Sequence, residues 1–299
     1  MMFTITQAAV LTPSQRQAAA ALTAQVQEHD QLKRAPYLDN QFNYDRTMPA
    51  FFMAWDRAAL IGYATLYADE APGGSVDVAL YVAPGWRRRG VATALWQAAA
   101  AVLRAFGYTE YEFLCEASWL QAAPGFLTQA QLALNGDPAE YQLVAPRGSG
   151  HALAGGLSVR AMTAADIDAV LPLYEAAFPE DGDSATLYLT QTLRGKTSAA
   201  YLLIEAGRPI GYAAVDDGLG YAYLFGVFIA AARRNQGLGT RFVAALLHRL
   251  SATGPVRLGV EADNPAACRA YAKAGFVTEA TVWYLVPTGK RWRLPAGAN

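Results

Sequence analysis

Cysteine is scarce. Cys115 and Cys268 are the only two in 299 residues, which excludes a disulfide framework, and they stand too far apart for a zinc-ligand spacing. Both read as buried thiols. Charge is scarce too, at 16% of residues, and 24 Lys plus Arg against 25 Asp plus Glu leave a net charge of −1. The positive surplus expected of a nucleic-acid partner is missing. His29, His151 and His248 are dispersed, with no Ser or Cys nucleophile near them, and read as surface or packing residues. No Lys or Arg precedes Arg16, so the positive flank of a secretory signal is absent. The longest apolar stretch, around Ala92 to Leu103, is broken by Gln97 and bounded by Arg87 to Arg89 and by Arg104, short of the roughly 20 residues of a membrane span. The expectation is a cytoplasmic protein without a membrane or nucleic-acid partner.

What is abundant is hydrophobic: 53% of residues, a balance that excludes a disordered or collagen-like chain. At roughly 100–200 residues per domain the length predicts two domains, each with its own core. An internal repeat agrees. Ile61-Gly62-Tyr63-Ala64 recurs as Ile210-Gly211-Tyr212-Ala213, and Arg87-Arg88-Arg89-Gly90-Val91-Ala92 is echoed at nearly the same displacement by Arg234-Asn235-Gln236-Gly237-Leu238-Gly239. Thr12-Pro13-Ser14-Gln15 and Thr163-Ala164-Ala165-Asp166 both have the form of a helix cap with an amide or acid three positions on. Small and turn-forming residues cluster from Pro146 to Gly156, which predicts units at 1–148 and 157–299.

Each repeat reads as strand, helical region, hairpin, strand, helix, strand, helix, strand, an α/β order with a mixed sheet. In the second copy the spacing predicts a strand at Leu157 to Met162 and an amphipathic helix from Thr163 to Phe178. A hairpin follows, Tyr201 to Glu205 and Ile210 to Val215, turning at Ala206-Gly207-Arg208-Pro209. Beyond it come a strand at Tyr221 to Ile229, a helix at Gln236 to Leu250, a strand at Val256 to Glu261, a helix at Asn264 to Ala274 and an extended run from Phe276 to Val286.

The sharpest local feature is Arg234-x-x-Gly237-x-Gly239-Thr240 at a strand-to-helix junction. Small residues there let the backbone turn tightly, and the unpaired N–H groups and dipole of a helix start favour an anion. The same glycines also suit plain close packing. A Walker-type loop would need Lys then Ser or Thr, and a dinucleotide fingerprint a third glycine; neither is present. Downstream, Asn264 can cap a helix begun by Pro265, Ala267 and Tyr271 share one face, and Gly275 can end it.

In that order, the segments Arg234 to Thr240 and Asn264 to Phe276 resemble the acetyl-CoA-binding signature of the GNAT (GCN5-related N-acetyltransferase) superfamily. The resemblance implies two consecutive GNAT-like domains, each a central mixed, mostly antiparallel sheet flanked by helices. It implies an acetyl-CoA-dependent N-acetyltransferase without a metal, moving an acetyl group to a primary amine of a small molecule or peptide by direct attack in a ternary complex, as monomer or homodimer. By position, main-chain N–H groups of Gln236, Gly237, Leu238, Gly239 and Thr240 would bind the coenzyme's diphosphate beside Arg234 and Asn235. Val227, Phe228 and Ile229 would pair with the pantetheine arm, Asn264 and Ala267 would border it, and Tyr271 would protonate the departing thiolate. The other reading of Tyr271 is a ring that fills the core.

An amine with pKa near 10.4 must lose a proton before it attacks, yet the strand before the loop, Tyr221-Ala222-Tyr223-Leu224-Phe225, carries no acid. Asp216, Asp217, Glu205 and Glu261 are the nearby carboxylates, each read as solvated or capping; Tyr221 and Tyr223 either line the acceptor pocket or pack. The base is unassigned. The missing acid keeps open a non-catalytic acyl-CoA sensor or scaffold. A mycothiol-synthase-like enzyme is a narrower alternative, disfavoured because Tyr223 stands where that family places an acid.

The first copy keeps Arg87-x-x-Gly90-x-Ala92 after Leu80-Tyr81-Val82, but Glu116-Ala117-Ser118-Trp119-Leu120 offers no counterpart of Tyr271, so this domain is expected to be degenerate. Its three arginines read equally as phosphate contacts or as an exposed loop. Acceptor specificity is expected from Phe178 to Arg194 and from the strand near Trp283 and Tyr284. Lys290-Arg291-Trp292-Arg293 reads as a solvated basic tail that could also meet an acidic substrate or a neighbouring subunit.

Overall fold

A computed structural model describes residues 3–153, 155–179, 184–252 and 254–294. In chain order, β1 (Thr4–Ala8), α1 (Pro13–Asp30), β2 (Phe51–Asp56), β3 (Ala59–Tyr67), β4 (Ser75–Val82), α2 (Val91–Ala105), β5 (Glu110–Glu116), α3 (Ala117–Ala122), α4 (Phe126–Ala130) and β6 (Leu132–Leu134) make the first repeat up to its last strand, β7 (Glu140–Ala145). The second repeat comprises β8 (Leu157–Ala161), α5 (Ile167–Ala177), α6 (Ser184–Arg194), β9 (Ser198–Glu205), β10 (Arg208–Asp216), β11 (Ala222–Ile229), α7 (Leu238–Leu250), β12 (Val256–Glu261), α8 (Pro265–Ala274) and β13 (Val277–Pro287).

Two compact units result, Met1–Ala139 with Ala280–Asn299, and Glu140–Glu279. This differs from the consecutive units 1–148 and 157–299 expected from sequence. In the second unit β7 pairs with β12 from Ala145↔Val256 to Glu140↔Glu261. In the first, Val282–Leu285 of β13 pairs with Glu116–Phe113 of β5. The physical reason is that a strand edge accepts any backbone of matching register, and Leu143 and Leu285 are buried in the units that receive them. Turn-rich sequence between two repeats cannot report that preference.

The sheet of the first unit runs β1-β2-β3-β4-β5-β13 with β6 on β13, antiparallel except for β4–β5; that of the second runs β7-β12-β11-β10-β9-β8, antiparallel except for β11–β12. Both are mixed, mostly antiparallel sheets flanked by helices. The repeat is visible in the backbone. A 3-10 turn at Pro84–Trp86 is matched at Ala231–Arg233, and the αL residues Arg88 and Asn235 both have φ 61. Gly90 and Gly237 open α2 and α7 at φ 83 and 70.

Both helix-start signals hold. Thr12 N–H donates to Gln15 Oε1 at 2.9 Å, and Thr163 N–H to Asp166 Oδ2 at 2.9 Å. The hairpin turn is tighter than expected: Ala206 (φ 48) and Gly207 (φ 78) make it alone, and Arg208 and Pro209 already belong to β10, the positive-φ pair that matches strand twist. The expected basic tail is not simply solvated. Trp292 is buried in the first unit, its Nε1–H donating to Ala130 O at 2.6 Å.

In the second unit one sheet face packs Leu224 and Leu258 against Phe242, Leu246 and Leu247 of α7, and the other packs Leu202, Tyr212 and Phe228 against Val170, Tyr174 and Leu189 of α5 and α6. Two irregularities of β11 shape what lies between. Its parallel pairing with β12 covers only Ala222↔Val256, Tyr223↔Arg257 and Leu224↔Leu258. On the β10 side, Gly226 and Val227 stand opposite Ala213 alone, between the pairs Tyr212↔Phe228 and Ala214↔Phe225. This is a bulge, and Gly226 adopts φ 58 in it. A side chain there is strained by about 1–3 kcal/mol, and a Cβ would also lie 3.4 Å from the Tyr212 ring. Gly226→Val is therefore expected to lower unfolding stability by about that amount in chemical denaturation, whereas the same change at Gly85, in the 3-10 turn Pro84–Trp86 with open space around a Cβ and no positive φ, should cost less.

Candidate functional site

Beyond Leu224↔Leu258 the two parallel strands separate, and a cleft of about 500 Å³ opens beside the freed end of β11. Val227, Phe228 and Ile229 form one wall, the loop and first turn of α7 a second, and α8 a third. Of the residues singled out from sequence, Val227, Phe228, Ile229, Arg234, Asn235, Gly237, Leu238, Gly239, Thr240, Asn264, Ala267 and Tyr271 all line it; Gln236 does not.

The loop is held in place from both ends. Arg234 Nε–H donates to Ile229 O at 3.1 Å, fixing the arginine to the end of the strand. Asn235 then takes the left-handed conformation that short polar side chains tolerate, and Gly237 starts α7 with no side chain capping it. The first N–H groups of that helix thus lack side-chain acceptors and sit at the positive end of the macrodipole. α8 is capped instead: Asn264 Oδ1 accepts from Ala267 N–H at 3.1 Å. That uses the acceptor of Asn264 and leaves its amide NH₂ as a donor.

Tyr271 is 8% exposed and meets the edge of the Phe276 ring at 5.9 Å. Its hydroxyl makes no hydrogen bond among the described residues. Burial, with Cys268 beside it, pushes its pKa up to about 12, so the group is protonated across the neutral range. The ring packs in the core, and the residue also lines the cleft.

Sequence reasoning missed the basic rim. Arg233, Arg269 and Lys273 line the same cleft. The signal was present for two of them, since a spacing of four places Arg269 and Lys273 on one helix face. Arg233 pairs with Glu205, and its buried Nε has no partner among the described residues. A cleft with uncapped helix N–H groups and four cationic side chains, counting Arg234, suits a polyanionic ligand.

The nearby carboxylates are engaged elsewhere. Asp216 accepts from Gly218 N–H at 2.7 Å and from the Thr197 hydroxyl at 3.1 Å; Glu205 holds Arg233; Asp217 and Glu261 are exposed; none of the four lines the cleft. Tyr221 lies under the Arg257 guanidinium at 4.4 Å, which in turn forks onto Glu279 at 2.7 and 3.1 Å. Of the acceptor segment expected at Phe178 to Arg194, Phe178 lines the cleft, and residues 180–183 lie outside the described residues. The three histidines are exposed. Cys115 and Cys268 are half-buried rather than fully buried as expected, and burial, with Glu116 nearby, pushes the Cys115 thiol up to about 12. Such a thiol is unreactive at neutral pH.

The equivalent region of the first unit is narrowed by its own side chains. Arg87 repeats the tie to its strand, Nε–H to Val82 O at 3.2 Å, but its guanidinium forks onto Asp30, at 2.8 Å from Nη1, and lies 5.1 Å over the Trp119 ring. Burial acts to raise the Asp30 carboxyl, and hydrogen bonds from Arg87 and His29 outweigh it, holding it below the usual carboxylate range. Arg88 Nη1 donates to Gln129 at 3.3 Å, and Arg89 stacks over Trp86 at 5.3 Å. The Glu116 carboxylate accepts from Lys33 and Arg34 N–H groups at 2.9 and 2.8 Å. What is left is a cavity of about 240 Å³, and β4 pairs with β3 without a bulge.

Among the described residues no group of three or more His, Cys, Asp or Glu is placed to hold a metal ion, and no helix is long and apolar enough to cross a membrane. The model of the acetyltransferase (GNAT) family matches residues 18–131 and 167–276. No curated protein matches the chain. Among solved structures, a GCN5-related N-acetyltransferase from Sphaerobacter thermophilus is similar at 17% identity and TM-score 0.67, over 95% of this chain and 94% of that one. A tandem GNAT protein from the clavulanic acid biosynthesis pathway is similar at 21% identity and TM-score 0.67, over 97% and 99%. An acetyltransferase of the GNAT family from Colwellia psychrerythraea is similar at 15% identity and TM-score 0.56, over 94% and 99%.

The cap on α8 gives a direct check of this geometry. Asn264→Ala removes the acceptor of the Ala267 N–H and is expected to cost about 1 kcal/mol in urea unfolding, with Asn264→Asp retaining most of the stability.

Proposed function

The chain belongs to the acetyltransferase (GNAT) family, and from that membership we propose that its second unit is an acetyl-CoA-dependent N-acetyltransferase acting on a primary amine of a small molecule or peptide. The observation that carries this reading is the shared cleft: one cavity is walled at once by an uncapped helix start, a strand end free of its parallel neighbour, and Tyr271. The residues fit the coenzyme. Main-chain N–H groups from Gly237 to Thr240 would hold its diphosphate, with Arg234, Asn235 and Gln236 shaping the loop and Arg233, Arg269 and Lys273 adding positive charge. Val227 to Ile229 would pair with the pantetheine arm, Asn264 would donate to it, and Ala267 and Ala270 leave room for it. When bound, acetyl-CoA supplies an acyl group on a thioester.

Tyr271 contributes a proton donor. Its raised pKa keeps the hydroxyl protonated at neutral pH, and its place on the cleft wall lets it donate to the sulfur as the C–S bond breaks. Holding amine and thioester together converts a bimolecular reaction into a positioned one. The first unit is a degenerate copy on this reading, because its loop arginine is already bound by Asp30 and Trp119. The enzyme would work in the cytoplasm, as a monomer or homodimer, with neither nucleic acid nor membrane as partner.

Calorimetry is expected to detect one acetyl-CoA per chain, and absence of heat would remove the proposal. Tyr271→Phe should lower kcat for thiol release by about 10²-fold or more with little change in coenzyme affinity. The parent rate should show no alkaline decline from this group near its ordinary value of 10.0, since the acid form persists to about 12. The double variant Arg269→Ala, Lys273→Ala should weaken coenzyme binding about tenfold, with a shallower salt dependence than the parent. Coenzyme heat without thiol release from any amine would support a non-catalytic binding module instead.

A further inference from the structure

A primary amine presented to this site must shed a proton, and none of the four carboxylates nearest the cleft in sequence is placed for that task. We propose that Glu140, on the strand that closes the first repeat, takes the proton of the acceptor amine, with Tyr223 as its positioning residue. The inference rests on the acetyltransferase reading of the second unit and supplies the base which that reading lacks.

Three observations converge. The first is position along the strands. Leu224↔Leu258 is the last pair joining β11 to β12, so Gly259 is the first β12 residue past the point of separation. A Cβ at Gly259 would lie 2.8 Å from Glu140 Oε1 and 2.9 Å from the Tyr223 hydroxyl oxygen. The carboxylate and the phenol therefore both border the apex of the gap, over the one residue with no side chain to fill the space.

The second is facing. Leu224, Leu258, Val260 and Leu143 point into the core under α7 and α8. By strand alternation Tyr223, Gly259, Gln142 and Glu140 point the other way, whereas the coenzyme cleft is walled by α7 and α8. Donor and acceptor would thus reach the gap from opposite faces of the sheet, an arrangement that leaves the acyl carbon open to the amine. The third is support. Gln142, 7% exposed, donates from Nε2 to Glu140 Oε1, and the β7–β12 pairing anchors the backbone of both. Other titratable or charged groups on this face include Glu261, the register partner of Glu140; Asp216, the register partner of Tyr223; Tyr221 with the Arg257–Glu279 pair; and, further along β10, Tyr212 with Tyr174 and Tyr188 of the helices packed there.

The protons balance. The ammonium passes one proton to the Glu140 carboxylate, which becomes a carboxylic acid and releases it to solvent. The nitrogen forms its bond to the acyl carbon as the C–S bond breaks, and the sulfur takes a proton from Tyr271. The second proton of the nitrogen restores Tyr271 by way of solvent, leaving an amide, a thiol and one proton released.

The test compares the full-length parent, Glu140→Gln and Tyr223→Phe, each checked for an unchanged fold by thermal melting and for acetyl-CoA binding by calorimetry. The thiol-release assay uses an amino sugar, a polyamine, an amino acid and a Lys-containing peptide as acceptors. Glu140→Gln should lose about 10²-fold or more in kcat at unchanged acetyl-CoA affinity. Its rate should climb with pH toward the parent's, and a hydrazide acceptor, neutral at the assay pH, should recover most of the loss. In the coenzyme-free protein, the ¹³C carboxyl resonance of Glu140, assigned by its loss in Glu140→Gln, should shift and titrate differently in Tyr223→Phe. Parent-like kcat and pH profile in Glu140→Gln overturn the proposal while leaving the acetyltransferase reading intact. An unmoved Glu140 resonance in Tyr223→Phe overturns the positioning role. A parent that releases no thiol from any acceptor overturns the acetyltransferase reading and this proposal together.

Discussion

The functional architecture of the second unit depends on one interrupted ladder. β11 and β12 run parallel for three residue pairs and part after Leu224↔Leu258. Buried backbone N–H and C=O groups need partners, so a strand that leaves its neighbour creates a demand that a ligand with amide groups of its own can meet. The bulge at Gly226 and Val227 works in the same direction by turning the strand locally out of register with β10. Loop, uncapped helix start and α8 are arranged around the opening. Arg234, tied to Ile229 at the end of β11, joins the strand to the loop that leads into α7.

The two repeats share a loop and differ in what surrounds it. Their loops agree closely, down to equal φ at Arg88 and Asn235, and both units keep one parallel pair of strands that separates partway. The difference lies in side chains. In the first unit Asp30 and Trp119 occupy the loop arginine, Trp119 meets Phe126 edge-on, and the remaining space is half that of the second. A half-buried arginine engaged by a bidentate carboxylate and an aromatic ring has little reason to leave them for a ligand. The backbone of the loop is retained in both copies, and the residues around it are not.

Much of the fold was legible because its signals are local. The strand Val256 to Glu261, the helix from Pro265 to Ala274 and the capping pairs at Thr12 and Thr163 follow from period, cap and turn chemistry that act within a few residues. The cleft residues were legible for a related reason: loop and helix lie in short contiguous segments whose order carries the resemblance. The rim residues Arg269 and Lys273 were readable from helical spacing once the helix was granted, whereas Arg233 looked like any charge in a loop. The exchange of β7 and the end of β13 was not legible, because edge pairing depends on which backbone reaches which edge and leaves almost no trace in side-chain pattern.

By itself the sequence determined the repeat, the α/β order, the glycine loop before α7 and the placement of Tyr271 on a capped helix, since each is set by neighbours within one turn or one hairpin. Only the tertiary structure decided where the strands part, that the first unit's loop arginine is already taken, and that Glu140 from the first repeat meets Tyr223 over Gly259 in the second unit. The physical reason is distance along the chain: packing and strand pairing bring together groups whose chemistry is ordinary until they share one small volume.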